Sequence, residues 1–134
     1  MNRPTFDEWF LDGAYWASKR SGCIRRKVGA LLVDPINHDI IEPGYNSAPS
    51  GELDCFEGGC PRAFSSVPPG SSYDSGPGTC IAIHAEANAL LRAGRRARGA
   101  HLYLTDAPCA GCLKLAKGAG VAKIIWPGNE LMLT

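Results

Sequence analysis

The sequence has almost no excess of charge of either sign. Fourteen Lys and Arg stand against thirteen Asp and Glu, which leaves a net charge of +1 over 134 residues. Such a chain has little positive charge with which to neutralise a phosphate backbone, so we expect no nucleic-acid partner. A small anionic ligand is compatible with this balance.

Long apolar runs are also missing. No stretch approaches the roughly 18 to 20 continuous apolar residues that a membrane helix needs. The first nine residues lack the apolar core of a signal peptide. We therefore expect no membrane partner and a cytoplasmic location. The length fits one compact domain over residues 1–134.

Histidine is scarce, with three residues, whereas cysteine is abundant, with six. In a chain without an export signal, this cysteine count points to metal or redox chemistry before disulfides. The cysteines are Cys23, the pair Cys55 and Cys60, Cys80, and the pair Cys109 and Cys112.

Periodicity and turn residues predict the order α-β-β-α-β-α-β. The predicted helices span about 6–20, 83–98 and 109–117, and the predicted strands about 27–34, 39–42, 101–105 and 123–126. Residues 131–133 add at most a short edge strand. A short turn after the first strand favours an antiparallel hairpin, and strand-helix-strand order later favours parallel strands. We predict an α/β fold of three layers, with helices on both faces of a mixed sheet of four to five strands.

Residues 48–79 form a long segment rich in Gly, Pro and Ser, with no periodicity. This segment is much longer than the roughly 12 to 15 residues that an unstructured connection usually reaches in a compact domain. It contains Cys55 and Cys60 and ends beside Cys80. A metal ion is therefore a candidate for holding it in place.

Two short motifs carry the chemistry: His-Ala-Glu at 84–86 and Pro-Cys-Ala-Gly-Cys at 108–112, each at the start of a predicted helix. Helices that begin at one edge of a sheet bring their first residues together, so His84, Cys109 and Cys112 can hold one zinc ion. Three protein ligands leave a fourth position for water. Glu86 can reach that water without being a ligand, which suits a proton shuttle.

Each motif alone has an ordinary explanation. A Cys-x-x-Cys pair after a strand occurs in redox proteins, and a carboxylate such as that of Glu86 is common in the first turn of a helix. Together, the two motifs form the H-x-E and P-C-x-x-C signature of zinc-dependent nucleobase deaminases. We therefore predict a zinc deaminase site.

Longer segments resemble the deoxycytidylate deaminases, a branch of the cytidine deaminase superfamily. They are KVGA at 27–30, GYNSAPSG at 44–51 and HAEANAL at 84–90, together with Cys109 and Cys112. The resemblance runs from about 6 to 126. It implies a cytidine deaminase-like fold and hydrolytic deamination of dCMP to dUMP and ammonia, with Glu86 carrying the protons. Relatives are commonly hexameric, so the resemblance also implies a homo-oligomer of six or fewer chains.

The resemblance also implies contacts to a nucleotide substrate. Asn46 matches an asparagine that hydrogen-bonds the sugar or the base, and the backbone amide of Ala85 is a candidate donor to the base carbonyl. Arg25, ahead of Arg26, matches arginines that suit bidentate contacts to phosphate. The ordinary alternatives are a turn residue at Asn46 and solvated surface charges at both arginines.

Two positions depart from the family pattern. Ser47 stands where the family usually has glycine, and Ala107 stands just before Pro108, where an aromatic or small residue is common. Ser47 and Pro108 border the expected substrate pocket. The exact substrate therefore stays open to CMP, a 5-substituted dCMP or another cytosine metabolite. A tRNA adenosine deaminase would show a basic tail. The non-enzyme alternative is a binding module that zinc stabilises and that has no catalytic activity.

The four remaining cysteines are Cys23, Cys55, Cys60 and Cys80. They match positions where bacterial and phage relatives carry cysteines or histidines, several of which hold a second, structural zinc. Four thiolates bound to one zinc ion would hold the long segment against the start of the first strand and against the predicted helix that begins near His84. Free thiols are the alternative, and disulfides are less expected in a reducing cytoplasm.

Overall fold

The computed structural model describes residues 2–59 and 80–134. The helices are α1 (Phe6–Ser18), α2 (Ala85–Ala93) and α3 (Ala110–Ala119), and the strands are β1 (Gly29–Val33), β2 (Ile40–Tyr45), β3 (His101–Leu104), β4 (Lys123–Trp126) and β5 (Asn129–Met132). Short 3₁₀ turns lie at Cys55–Glu57 and Gly94–Ala97. Within the described ranges, no helix combines the length and the apolar composition that a membrane span requires.

The five strands form one mixed sheet in the order β2-β1-β3-β4-β5. The strands β1 and β2 pair antiparallel, as the hairpin prediction requires, and β1 also pairs antiparallel with β3. The parallel pair is β3 and β4, which the connecting helix α3 makes possible. A tight turn then returns the chain so that β5 pairs antiparallel with β4.

Helices cover both faces of this sheet. Phe10 and Ala14 of α1 pack on one face, against a cluster that includes Leu31, Tyr103 and Ile125. The helices α2 and α3 pack on the other face, whose buried residues include Leu32, Leu102, Leu104 and Ile124. All five residues of β1 are buried because this central strand has helices on both sides. The three-layer α/β/α prediction is confirmed.

The start of α1 follows from its capping box. The Thr5 hydroxyl accepts from the backbone N–H of Glu8 at 3.1 Å, and the Glu8 carboxylate accepts from the backbone N–H of Thr5 at 2.9 Å. The helix ends at Ser18 rather than near residue 20. Hydrogen bonds spanning three residues continue the chain, from Arg20 N to Ala17 O and from Ser21 N to Ser18 O.

Strand β2 is longer than its apolar pattern predicts, because it continues through Pro43 to Tyr45. Proline lacks a backbone N–H, but β2 is an edge strand and has a partner on one side only. Gly44 allows close approach of helix α2, since a Cβ atom there would collide with the carbonyl of Ala85 and the amide of Ala89. The strand therefore ends directly beside the start of α2.

The second helix is shorter than predicted. It ends at Ala93 because Gly94 adopts a φ of +57°, and a 3₁₀ turn replaces its expected last turn. At the other end, His84 lies just before the helix and adopts an extended conformation. Strand β5, at Asn129–Met132, starts earlier than the short edge strand expected at 131–133.

Candidate active site

The first residues of two helices converge at one place. His84 is the N-cap residue of α2 and Cys109 is the N-cap residue of α3, while Cys112 lies in the first turn of α3. The Nδ1 atom of His84 is 3.5 Å from the Sγ atom of Cys109 and 3.2 Å from that of Cys112. The structure thus brings together the three side chains that the sequence motifs single out.

These three residues fit a zinc ion in chemistry and in spacing. Their ligand atoms all lie within 4.8 Å of one another. In a tetrahedral site with usual zinc bond lengths, a sulfur and a nitrogen ligand are about 3.6 Å apart, close to the separations given above. Within 2–59 and 80–134, no other group of three or more His, Cys, Asp or Glu side chains comes this close.

The electrostatics of the site favour a bound cation. Burial raises the pKa of the Cys112 thiol, and the nearby Glu86 carboxylate raises it further. A metal ion reverses this effect, because a coordinating thiol loses its proton when it binds the cation. The sulfur of Cys109 accepts a hydrogen bond from the backbone N–H of Cys112 at 3.4 Å.

Glu86 lies in the first turn of α2, two residues after His84, and is 5% exposed. It lines the same cleft as His84 and Cys109. Asp106 also lines this cleft, but its carboxylate accepts two hydrogen bonds from Arg26, from Nε at 3.0 Å and from an η nitrogen at 2.9 Å. Glu86 is therefore the carboxylate of the cleft that lies buried beside the metal-ligand candidates.

The cleft is bounded by the segment before β1, the residue after β2, the segment after β3 and the starts of α2 and α3. Its lining residues are Arg26, Val28, Asn46, Cys80, Ala82, His84, Ala85, Glu86, Asp106, Ala107 and Cys109. Four sequence-predicted residues, Asn46, Ala85, Arg26 and Glu86, thus share one cleft with two of the three metal-ligand candidates. Arg25 is exposed, and neither it nor Ser47 nor Pro108 belongs to this lining in the described part of the chain.

The segment before His84 is fastened to the end of β2. Ser47 and Ile83 form an isolated bridge, with N–H to carbonyl distances of 3.2 and 2.8 Å. The buried Asn88 side chain donates to the Tyr45 carbonyl at 2.8 Å from inside α2. These bonds fix His84 relative to Asn46, which directly follows β2.

Three of the four remaining cysteines lie in the described part, and Cys60 lies outside it. The sulfur of Cys23 accepts from the backbone N–H of Arg26 at 3.4 Å, the same geometry that Cys109 shows with Cys112. Cys55 is buried in a 3₁₀ turn, where the next residue donates its N–H to the carbonyl of Gly22. Cys80 lines the cleft.

Sequence reasoning missed three residues that shape the cleft: Asp106, Asn88 and Ser21. Asp106 stands just ahead of the Pro-Cys motif, so a search for a partner of the arginines could have found it. Asn88 lies within the HAEANAL segment, but the family resemblance of that segment assigns it no role of its own. Ser21 carries no sequence signal, because its hydroxyl meets the Asn46 side chain only in the folded chain.

Comparison with known proteins gives a consistent picture. The sequence model of the family described as cytidine and deoxycytidylate deaminase zinc-binding region matches residues 4–127. The deoxycytidylate deaminase of Mycobacterium phage D29 is 44% identical over 129 residues, which cover 95% of this chain and 98% of that protein. The deoxycytidylate deaminase of Schizosaccharomyces pombe is 40% identical over 126 residues, 92% of this chain but only 37% of its own length.

A solved structure shows the same likeness. The dCMP deaminase from the cyanophage S-TIM5, crystallised in complex with dCMP and dUMP, superposes with a TM-score of 0.65 at 29% identity. The match covers 94% of this chain and 83% of that one.

Proposed function

This chain belongs to the family of cytidine and deoxycytidylate deaminases, and on that premise we propose that it catalyses zinc-dependent hydrolytic deamination of dCMP to dUMP and ammonia. The observation that carries the proposal is the meeting of His84, Cys109 and Cys112 beside the buried Glu86 in one cleft. The names of its relatives, and the dCMP and dUMP bound by the cyanophage neighbour, support the choice of substrate.

His84, Cys109 and Cys112 would hold the zinc. When bound, the ion lowers the pKa of a water molecule to near neutrality. Glu86 takes one proton from the attacking water and delivers it to N3 of the base; it then takes the second proton from the oxygen that has bonded to C4 and delivers it to the departing amine. A C–O bond forms at C4, the C–N bond there breaks, and Glu86 ends the reaction as a carboxylate again. The free N–H of Ala85 at the start of α2 donates to the base carbonyl.

The two arginines before β1 are the residues proposed to bind the phosphate of the substrate. Arg26 lines the cleft, and Asp106 holds its guanidinium with two hydrogen bonds to one oxygen. Arg25 is exposed beside it, as a second candidate for the same contact. Replacing each arginine by alanine shows which of the two contacts the phosphate. Loss of that contact reduces kcat/KM for dCMP but leaves kcat/KM for deoxycytidine unchanged, because deoxycytidine has no phosphate.

The function is tested by measuring ammonia release from dCMP, CMP, deoxycytidine, dCTP and 5-methyl-dCMP, with zinc per chain determined on the same sample. We expect dCMP to react fastest, and activity to be lost on chelation and restored by zinc. Preference for CMP or the 5-methyl compound would keep the chemistry and change the substrate. Zinc binding without turnover of any compound would support the binding module instead.

A second, structural zinc is proposed on Cys23, Cys55, Cys60 and Cys80. Support comes from the placement of two of these cysteines: the residue after Cys55 donates its backbone N–H to the carbonyl of Gly22, which directly precedes Cys23. The proposed cytoplasmic location would keep these thiols reduced. Two zinc ions per chain are expected, falling to one in Cys23→Ser. One zinc in the unaltered chain would refute the second site.

We propose that copies of this chain assemble through the exposed edge of the sheet. Strand β5 is an edge strand, and its side chains of Leu131 and Met132 are 38% and 60% exposed. Edge strands with exposed apolar residues pair readily with another chain. Light scattering is expected to show a homo-oligomer of up to six chains, in which residues 1–134 of each chain form one domain. The substitution Leu131→Lys is expected to dissociate this oligomer. A monomer at all concentrations would contradict this.

A further inference from the structure

The side chain of Asn46 is held in one orientation by its neighbours. Its Oδ1 atom accepts from the backbone N–H of Val28 at 3.0 Å, and its Nδ2 atom donates to the backbone carbonyl of Arg26 at 2.8 Å. A backbone N–H can only donate and a backbone carbonyl can only accept, so these two bonds identify the oxygen and the nitrogen of the amide.

Ser21 occupies the remaining acceptor position of this amide. Its hydroxyl lies 2.6 Å from Oδ1 of Asn46 and accepts from the backbone N–H of Cys23 at 3.2 Å. A serine hydroxyl has a single proton, and Oδ1 is nearer than the two carbonyls also in range, at 3.3 and 3.4 Å. The proton of Ser21 therefore goes to Asn46.

These bonds decide what Asn46 can offer to a ligand. A carboxamide has two N–H donors and two acceptor lone pairs. Within residues 2–59 and 80–134, both lone pairs and one N–H are engaged by Ser21, Val28 and Arg26, which leaves one N–H. Asn46 is 8% exposed and lines the cleft, so this N–H is the group available there.

We infer that Ser21 is a positioning residue. Its hydroxyl occupies the last acceptor lone pair of Asn46, so that Asn46 can offer only a hydrogen-bond donor to the cleft. A bound nucleotide therefore contacts Asn46 through an oxygen atom. The inference rests on the proposed function for the identity of the ligand as a pyrimidine nucleotide. The oxygen belongs to a sugar hydroxyl or to the base carbonyl, which share the acceptor chemistry that the N–H requires.

The test uses binding of the product dUMP to the zinc-loaded protein by calorimetry, so that it does not depend on turnover. Two analogues remove one oxygen each: 2′,3′-dideoxyuridine monophosphate lacks the 3′-hydroxyl, and 2-thio-dUMP has sulfur in place of O2, the carbonyl oxygen that uracil shares with cytosine. The variants are Ser21→Ala, Asn46→Asp and the control Ser18→Ala. In the part of the chain that the structure describes, the Ser18 hydroxyl bonds within α1, to the Tyr15 carbonyl at 2.6 Å.

In the unaltered chain, one analogue should bind about tenfold more weakly than dUMP, the cost of one unmade hydrogen bond. That ratio should fall to about threefold or less in Ser21→Ala, since one restraint on the amide is gone. It should fall to about one in Asn46→Asp, which keeps both accepted bonds, loses the bond donated to the Arg26 carbonyl and presents an acceptor to the ligand. Ser18→Ala should keep the full ratio, and kcat for dCMP in Ser21→Ala should change far less than KM.

The inference would be overturned if Ser21→Ala still bound one analogue about tenfold more weakly than dUMP. It would also be overturned if the unaltered chain bound both analogues as tightly as dUMP. Which analogue loses affinity tells the sugar contact from the base contact. A chain that binds dUMP with this discrimination but does not deaminate dCMP would refute the proposed function and leave the role of Ser21 standing. Absence of dUMP binding would overturn both.

Discussion

Glu86→Gln removes the buried carboxylate beside the metal-ligand candidates while keeping nearly the same side-chain shape. Glu86 is 5% exposed and lines the cleft, so a substitution of equal size leaves no cavity. The amide of glutamine cannot take up a proton from water at neutral pH. Asp106, the other carboxylate of the cleft, is engaged by Arg26 and does not replace it.

The expected loss follows from the two proton transfers assigned to this group. General acid–base catalysis by one positioned side chain contributes about 10²- to 10⁴-fold. Glu86 serves both the activation of water and the departure of the amine, so we expect kcat to fall by about 10³- to 10⁴-fold. This corresponds to about 4 to 5.5 kcal/mol in the activation barrier. Zinc content should not change, because His84, Cys109 and Cys112 form the ligand group without Glu86.

The assay is ammonia release from dCMP, with zinc per chain and unfolding measured on the same samples. Glu130→Gln is the matched control, since the Glu130 carboxylate pairs with Lys123 on the surface and is 58% exposed. The control should retain full activity. If Glu86→Gln kept activity within tenfold of the unaltered chain at equal zinc content, the assignment of the proton shuttle would be refuted.

Three further predictions concern the scaffold. Tyr103→Phe removes the hydroxyl that donates to Asp7 at 2.6 Å and should cost about 1 to 2 kcal/mol in urea unfolding, whereas an unchanged midpoint would show that the bond does not stabilise the fold. Gly44→Ala should destabilise by about 1 to 3 kcal/mol because its Cβ meets the backbone of α2, while the control Gly118→Ala, in an open position of α3, should stabilise; equal effects would exclude the collision. Hydrogen bonds at the start of α1 lower the pKa of Glu8, so its stabilisation is complete above the unfolded-state pKa and lost as pH falls through the lower folded-state value. The stability difference from Glu8→Gln should therefore shrink between about pH 6 and pH 3, and a constant difference would contradict this.

Local patterns predicted much of the fold correctly. The capping box of Thr5 and Glu8 needs only residues three apart, and it forms as the sequence indicates. Strand β4, Lys123–Trp126, has the predicted bounds, because apolar β-branched residues stand between clear turn residues. The pairing of β1 with β2 follows from the short turn between them. In each case the deciding interactions are close in sequence.

Element ends that depend on distant neighbours were wrong. Pro43 and Gly44 have the composition of a turn, yet they continue β2 because this strand lies at the sheet edge and against α2. Conversely, Gly94 ends α2 early although the three arginines within 95–98 are typical of the last turn of a helix. Neither outcome can be obtained from periodicity, since strand order and helix contacts are properties of the whole chain.

The sequence by itself determined the ligand chemistry: two motifs supply one imidazole, two thiols and a carboxylate at helix starts, and helix starts can be identified from local signals. Tertiary structure alone decided which polar groups meet at the cleft and behind it. Arg26 meets Asp106, and Ser21 meets Asn46, across 80 and 25 positions of the chain. Such pairs form because folding places loops from different elements side by side, and buried polar groups there must find partners. A sequence specifies these contacts only through the complete fold.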